Sequence, residues 1–273
     1  MIDELDGEIL KQRNSFNLWR RNLSDTVISS IEWEGLPKTV DPLFIERRLF
    51  FEGRIIFFAV ETDGRKSLVC SSGFGTTNLN VYGIPQKRTI NMPNGFTAEL
   101  NCENSVIMYN SIQKDSEVKR CNDYARRIAE YDSIIDGNSR AQRTPYFLTA
   151  DGEEDKLSLV NLWANLSQGA PVVKIENTLN PDAIKVFSPN APFRALELKE
   201  VQKKLINEYL TFNGIYHNTD KETRIVTDEV SYENYAVDVN RNAKMLPRLT
   251  ACNLINEMFA DCLDSPISCK MVG

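Results

Sequence analysis

The sequence predicts an α+β protein, mainly helical, and three observations carry that prediction. Apolar residues recur at three- and four-residue steps through four long segments, the period of a helix with one buried face. Between residues 54 and 108 that period gives way to short apolar runs separated by turn sequences, the pattern of a small sheet. A compact strand–helix–strand pattern then sits between two of the long helices.

The first helix is expected from Leu5 to about Ile31, where Phe16, Trp19, Leu23, Val27 and Ile31 form a stripe and Arg13, Arg20 and Arg21 lie off it. Gly35 and Pro37 end it. Asp41 has the chemistry of an N-cap and Pro42 that of a first helical residue, opening a short helix to about Phe50. Strands are expected at Ile55–Val60, Ser67–Cys70, Val81–Ile84 and Val106–Tyr109, with turns at Thr62-Asp63-Gly64, Ser72-Gly73 and Pro93-Asn94-Gly95. Val118, Cys121, Ala125, Ile128, Tyr131 and Ile135 mark a helix from about Gln113 to Arg140, stopped by Thr144-Pro145.

Tyr146–Ala150 then reads as a strand and residues 151–156 as an acidic loop. Ser158 caps a helix with Leu159, Leu162, Trp163 and Leu166 on one face; Pro171–Ile175 and Ile184–Phe187 are strands. Pro192 opens the second long helix, with Phe193, Leu196, Val201, Leu205, Tyr209 and Phe212 as its stripe. At 1.5 Å per residue each long helix measures roughly 30–40 Å. Gly214–Arg224 has no apolar period and reads as a polar loop. Thr227-Asp228-Glu229 is a helix start, a further helix carries Leu246, Leu249, Cys252, Ile255, Phe259 and Cys262, and Ile267–Val272 is a final strand.

Composition narrows the function classes. A chain of 273 residues, 42% apolar, buries a real core as one large domain or two modest ones. No apolar run approaches the roughly 18 residues of a membrane span, and the acidic N-terminus lacks the basic start of a signal peptide, so a cytosolic protein is expected. Six cysteines (Cys70, Cys102, Cys121, Cys252, Cys262 and Cys269) have no metal-ligand spacing and read as reduced thiols, with no metal site expected. The only histidine, His217, lies in the polar loop, which leaves an enzyme little acid–base chemistry. Gly73-Phe74-Gly75 lacks the lysine of a phosphate loop, and Asp151, Glu153, Glu154 and Asp155 lack calcium-loop spacing. No catalytic residue and no cofactor is expected. A net charge of −6 argues against a protein that grips nucleic acid over its whole surface. It does not argue against one that lets DNA slide, since a basic lining would add affinity at every phosphate and stall movement.

Five short sequences carry a resemblance. They are Glu32-Trp33-Glu34-Gly35-Leu36-Pro37 followed by Asp41-Pro42, Ala141-Gln142-Arg143-Thr144-Pro145, Gly169-Ala170-Pro171-Val172, Thr211-Phe212-Asn213-Gly214-Ile215 and Val226-Thr227-Asp228-Glu229-Val230. In order and spacing the chain resembles the upper collar proteins (portals, or head–tail connectors) of small short-tailed phages with protein-primed replication. The resemblance implies a portal-type protomer in a twelve-subunit ring around a double-stranded DNA channel. It divides the chain into a wing (1–111), a first stem helix (112–143), a clip (144–190), a second stem helix (191–213), a channel loop (214–230) and a second wing part (231–273). Lys221 and Arg224 fall in the loop and would form cationic rings in the bore. The implied partners are DNA, a packaging ATPase with or without a packaging RNA, the capsid protein and a lower collar or tail protein, but no membrane. The implied place is the capsid vertex of the virion, after assembly in the host cytoplasm. Where the family carries channel lysines this chain has Ser188 and Glu197, and in place of a basic N-terminal arm it has Ile2-Asp3-Glu4-Leu5-Asp6, so no DNA or RNA contacts are assigned there. A tail or lower-collar scaffold without a bore is the alternative.

Overall fold

The computed structural model describes residues 2–62, 64–92, 95–141, 146–148, 184–186, 192–217 and 227–272. In chain order these form α1 (Ile2–Ile28), β1 (Ile31–Glu34), α2 (Pro42–Glu52), β2 (Arg54–Thr62), β3 (Arg65–Ser71), β4 (Phe74–Leu79), β5 (Pro85–Asn91), β6 (Thr97–Asn101) and β7 (Ser105–Tyr109). Then come α3 (Val118–Ala141), β8 (Tyr146–Leu148), β9 (Ile184–Val186), α4 (Ala195–Phe212), α5 (Thr227–Met258), a short 3-10 turn (Ala260–Cys262) and β10 (Ser268–Met271). The chain divides into two compact units, Met1–Glu130 with Gln202–Gly273, and Tyr131–Val201.

The core of the first unit is built on β2. Its apolar run does not alternate with polar residues because both faces are covered. Ile55 and Phe57 join a cluster with Ile45, Leu49, Leu68 and Ile255, while Ile56 and Phe58 pack with Phe74 and Ile90 on the other side. Antiparallel β3 and β7 flank β2, and β4, β5 and β6 form a second antiparallel sheet. Helix α2 opens as its sequence demands: the Asp41 carboxylate accepts the Leu43 amide at 3.0 Å, with Pro42 at the first helical position.

Helix α5 runs for 32 residues straight through Pro247. Proline has no N–H to give the Ala243 carbonyl one turn earlier. Here the Ile112 amide donates to that carbonyl instead, at 3.1 Å, so the break in the helical ladder is filled from outside.

Several expectations are corrected. The first helix stops at Ile28, and Ile31 enters β1, which pairs with β10. The end is written in Ser29 and Ser30, whose hydroxyls donate back to the Asp25 and Val27 carbonyls. Val81–Ile84 is a turn and not a strand. The Asn80 carboxamide oxygen accepts the amides of Tyr82 and Ile84, both at 2.9 Å, and Gly83 takes a positive φ of 70°. The strands on either side, β4 and β5, and also β6, were not expected. Helix α3 begins at Val118 and not near Gln113, since Lys114 turns the chain with a φ of 63°. Helix α4 begins at Ala195 and not at Pro192. Outside the described residues lie the helix expected after Ser158, the strand at Pro171–Ile175 and the acidic loop at 151–156. In the second unit β8 and β9 pair antiparallel, Phe147 opposite Lys185.

Candidate functional site

The polar loop leaves helix α4 through a cap that its sequence prescribes. The Ile215 amide donates to the Leu210 carbonyl and the Gly214 amide to the Thr211 carbonyl, both at 3.0 Å. This is the Schellman pattern, and it needs a left-handed residue just past the helix. Gly214 supplies it with a φ of 71°. A Cβ at that position would stand 2.5 Å from the Cα of Arg241, so the cap packs on α5 at backbone distance.

Side chains fix the same contact. The Asn240 amide donates to the Thr211 carbonyl at 3.0 Å, and the Tyr216 hydroxyl donates to the Asp238 carboxylate. The Arg241 guanidinium lies 5.2 Å from the Tyr216 ring centroid and donates to the Met271 carbonyl at 2.9 Å. His217 stands with its Nε2 3.0 Å from the Thr211 hydroxyl, a loop histidine in a structural contact. Residues 211–217 are therefore moored to the middle of α5, and the chain re-enters the same helix at Thr227. Lys221 and Arg224 lie outside the described residues.

Beneath the cap sits a buried polar network that sequence reading missed. Asn213 donates to Glu117 Oε1 at 3.2 Å and accepts from Lys244 Nζ at 3.0 Å. One turn along α5, Arg248 is fully buried and spends all five of its N–H groups. Its Nε and Nη2 meet both oxygens of Glu46 at 3.2 and 2.9 Å, Nη1 reaches the Asn110 and Lys244 carbonyls, and Nη2 also reaches Asn110 Oδ1. Trp33 Nε1 donates to the same Glu46 at 3.1 Å, which gives the Glu-Trp-Glu-Gly-Leu-Pro sequence a structural reason. The expected stripe of this helix put Leu246 and Leu249 inside, but both are exposed, and the inner face runs Met245, Arg248, Cys252 and Ile255, with buried Phe259 just past the helix end. The available signal was a cation at helical spacing within an otherwise apolar face.

Burial, with the Arg248 charge beside it, pushes the Lys244 ammonium down to about 7, against the opposing pull of Glu117 and Glu46. The unfolded chain therefore binds more protons than the folded one between about pH 7 and the ordinary lysine value, and stability rises with pH across that interval. The Cys70 thiol, pushed up to about 12 by burial, works in the opposite direction only above the ordinary thiol value near 9. The expected result is a melting temperature that climbs from pH 7 to 9 in the native protein and stays flat in Lys244→Met, checked by calorimetry at matched ionic strength.

Helices α3 and α4 meet through few but specific contacts. In the first unit Gln202 Nε2 donates to the Ile128 carbonyl at 3.1 Å, and the Tyr124 and Tyr209 rings lie 5.5 Å apart. In the second, Asn138 accepts the Arg194 amide at 3.0 Å and donates to the Pro192 carbonyl at 3.1 Å. Of the stripe expected on α4, only Leu205 and Tyr209 are buried. Phe193, Leu196, Val201 and Phe212 are exposed, Leu196 to 75%, and so is Ile134 on α3. Among the described residues, α3, α4 and the residues leading into α4 thus carry several exposed large apolar side chains.

The free thiols are Cys70, Cys102, Cys121, Cys252, Cys262 and Cys269, and no cluster of three or more metal-ligating side chains occurs among the described residues. Among the same residues, no helix is long and apolar enough to cross a membrane.

These features find their counterpart in one family. Residues 3–269 match the family described as Phage Connector (GP10). The match spans nearly the whole sequence, and the chain belongs to that family: it is a phage portal protein, a head–tail connector. Such proteins are structural and not enzymatic, form ring oligomers that meet capsid and tail, and reside at the head–tail junction of the virion. The fold is similar to the solved portal and tail of native bacteriophage P68, with a TM-score of 0.53, 18% identity, and coverage of 93% of this chain and 87% of that one. A portal protein of the HK97 family from Corynebacterium diphtheriae aligns over 93% of this chain and 91% of its own, at 13% identity and a TM-score of 0.47.

Proposed function

We propose that twelve copies of this chain close into a ring whose bore conducts double-stranded DNA into the capsid during packaging, holds it, and releases it on ejection. Helices α3 and α4 form the stem, residues 144–190 the clip that faces the packaging ATPase with or without a packaging RNA, and residues 1–111 with 231–273 the wing. The capsid protein and the lower collar meet other faces, assembly takes place in the host cytoplasm, and the ring itself catalyses nothing.

The observation that carries this reading is the uncovered apolar set on α4 and α3, within a chain of the connector family. Leu196, Val201 and Phe212 lie on a helix otherwise dense in charge, with Phe193 just before its start, and a neighbouring stem covers the apolar surface they leave exposed. Within the expected 214–230, the stretch before α5 begins at Thr227 acts as the channel loop, with Lys221 and Arg224 presented as repeated cations that touch passing phosphates transiently. Mooring of residues 211–217 to α5 holds the root of that loop in place while its tip meets DNA.

Electron microscopy of the purified protein is expected to show closed rings with a central hole; monomers or small open oligomers alone would refute the proposal. Deleting residues 216–223 separates it from a scaffold without a bore. A portal lacking them still assembles but retains packaged DNA poorly, and nuclease-protected genome per particle measures the loss. An unchanged protected genome would favour the scaffold.

A further inference from the structure

Helices α1, α2 and α3 enclose a groove of about 880 Å³ in the first unit. Its lining combines three exposed cations, Arg20, Arg21 and Arg47, with three exposed apolar side chains, Leu18 (58%), Leu43 (54%) and Phe51 (49%). A surface that mixes a cation cluster with large apolar groups fits an acidic amphipathic helix.

This chain contains such a segment. Ile2-Asp3-Glu4-Leu5-Asp6-Gly7-Glu8-Ile9 carries four carboxylates and no cation, with apolar residues at positions 2, 5 and 9, the three- and four-residue spacing of one helical face. It opens α1, whose next five residues, Leu10 to Asn14, are all exposed. Leu10 to Asn14 thus lie outside the buried part of α1, and a short helix without such burial is marginal in water.

The segment cannot fill its own groove. Helix α1 is continuous from Ile2 to Ile28, and the groove begins at Asn17. At 1.5 Å per residue, Asp6 and Arg21 are about 22 Å apart along one rigid rod. Among the described residues, Asp25 is the one acid that lines the groove, one carboxylate against three guanidinium groups, so there is room for further acid from another molecule.

We infer that the acidic start of α1 docks into the α1–α2–α3 groove of a second copy, its carboxylates against Arg20, Arg21 and Arg47 and its apolar face against Leu18, Leu43 and Phe51. The contact is head-to-tail: each copy gives an arm at one side and offers a groove at the other, the geometry that closes into a ring. The inference rests on the ring reading above and adds to it a surface outside the α3–α4 pair.

Two variants of the full chain test it. In one the arm is reversed, with Asp3→Lys, Glu4→Lys, Asp6→Lys and Glu8→Lys; in the other the groove is reversed, with Arg20→Glu, Arg21→Glu and Arg47→Glu. All three groove positions are exposed, and an unchanged melting temperature verifies folding; if it falls, Arg→Gln at the same positions replaces the set. Mass photometry against protomer concentration is expected to show each variant alone needing about tenfold more protein for half-assembly, a weight of about 1.4 kcal/mol. Mixed in equal amounts, the two are expected to regain native assembly, since each arm now meets a groove of opposite sign. Rings that form equally well in both variants would overturn the docking and leave the ring reading intact, and so would a mixture that fails to recover. Native protein that forms no rings would overturn both. Intact rings with variants defective only in virion assembly would hand the groove to a capsid or tail partner and overturn the inference.

Discussion

Replacing Arg248 by methionine is expected to cost about 3–5 kcal/mol, because it leaves the Glu46 carboxylate buried without its direct ion-pair partner. The side chain has no access to solvent, so water cannot replace the lost bonds. Urea unfolding checks the value, with the midpoint falling at an unchanged slope. Removing both charges, as Glu46→Leu with Arg248→Met, is expected to restore most of the loss, since a buried ion pair is worth little net of its desolvation. A single variant costing less than about 1 kcal/mol would show that the pair is not closed off from water as described.

Gly214→Ala is the second large effect. Alanine pays the left-handed backbone cost and must also push Arg241 away from a 2.5 Å approach, so the loss is about 3 kcal/mol and the melting temperature falls by about 10 °C. Gly83→Ala is the matched control. Gly83 has nearly the same φ, 70°, but nothing within 4 Å of the added carbon, so only the backbone cost of about 1 kcal/mol applies. The difference between the two isolates the close packing of the α4 cap on α5. Equal losses at the two sites would mean that the cap stands off the helix.

Features encoded within a few residues were legible from sequence. Asp41-Pro42 gave the start of α2 because cap and proline act locally, and the 3.6 period gave the body of α3 because Cys121, Ala125 and Ile128 face one way. Ile267–Val272 was expected as a strand and β10 occupies Ser268–Met271. What escaped depends on distant partners. Ile31 continued a helical stripe faultlessly, yet its backbone pairs with Met271, a choice that no local preference records. Strand β5 was invisible because Lys87 and Arg88 interrupt its apolar residues, although Arg88 is buried and its Nη1 donates to Ser105. The network below the loop was illegible for the same reason. Lys244, Arg248 and Glu46 look like solvated charges until the chain brings them together. The resemblance drew attention to Thr211-Phe212-Asn213-Gly214-Ile215; the structure supplies its cause, a Schellman cap whose asparagine is bonded on both sides.

The pairing of β1 with β10 has a bearing on how the protomer resists proteolysis. Glu34 and Ser268 are partners in that ladder, and Lys270 reaches Glu34 at 2.7 Å and Glu32 at 3.6 Å, so the sheet joins segments more than 230 residues apart in sequence. Asn256 adds a second latch by bonding both the amide and the carbonyl of Ile267. Without residues 268–271, Ile31 and Trp33 lose their partner strand. A chain cut before Ser268 is therefore expected to be more open to proteolysis around Ile31 than the full sequence.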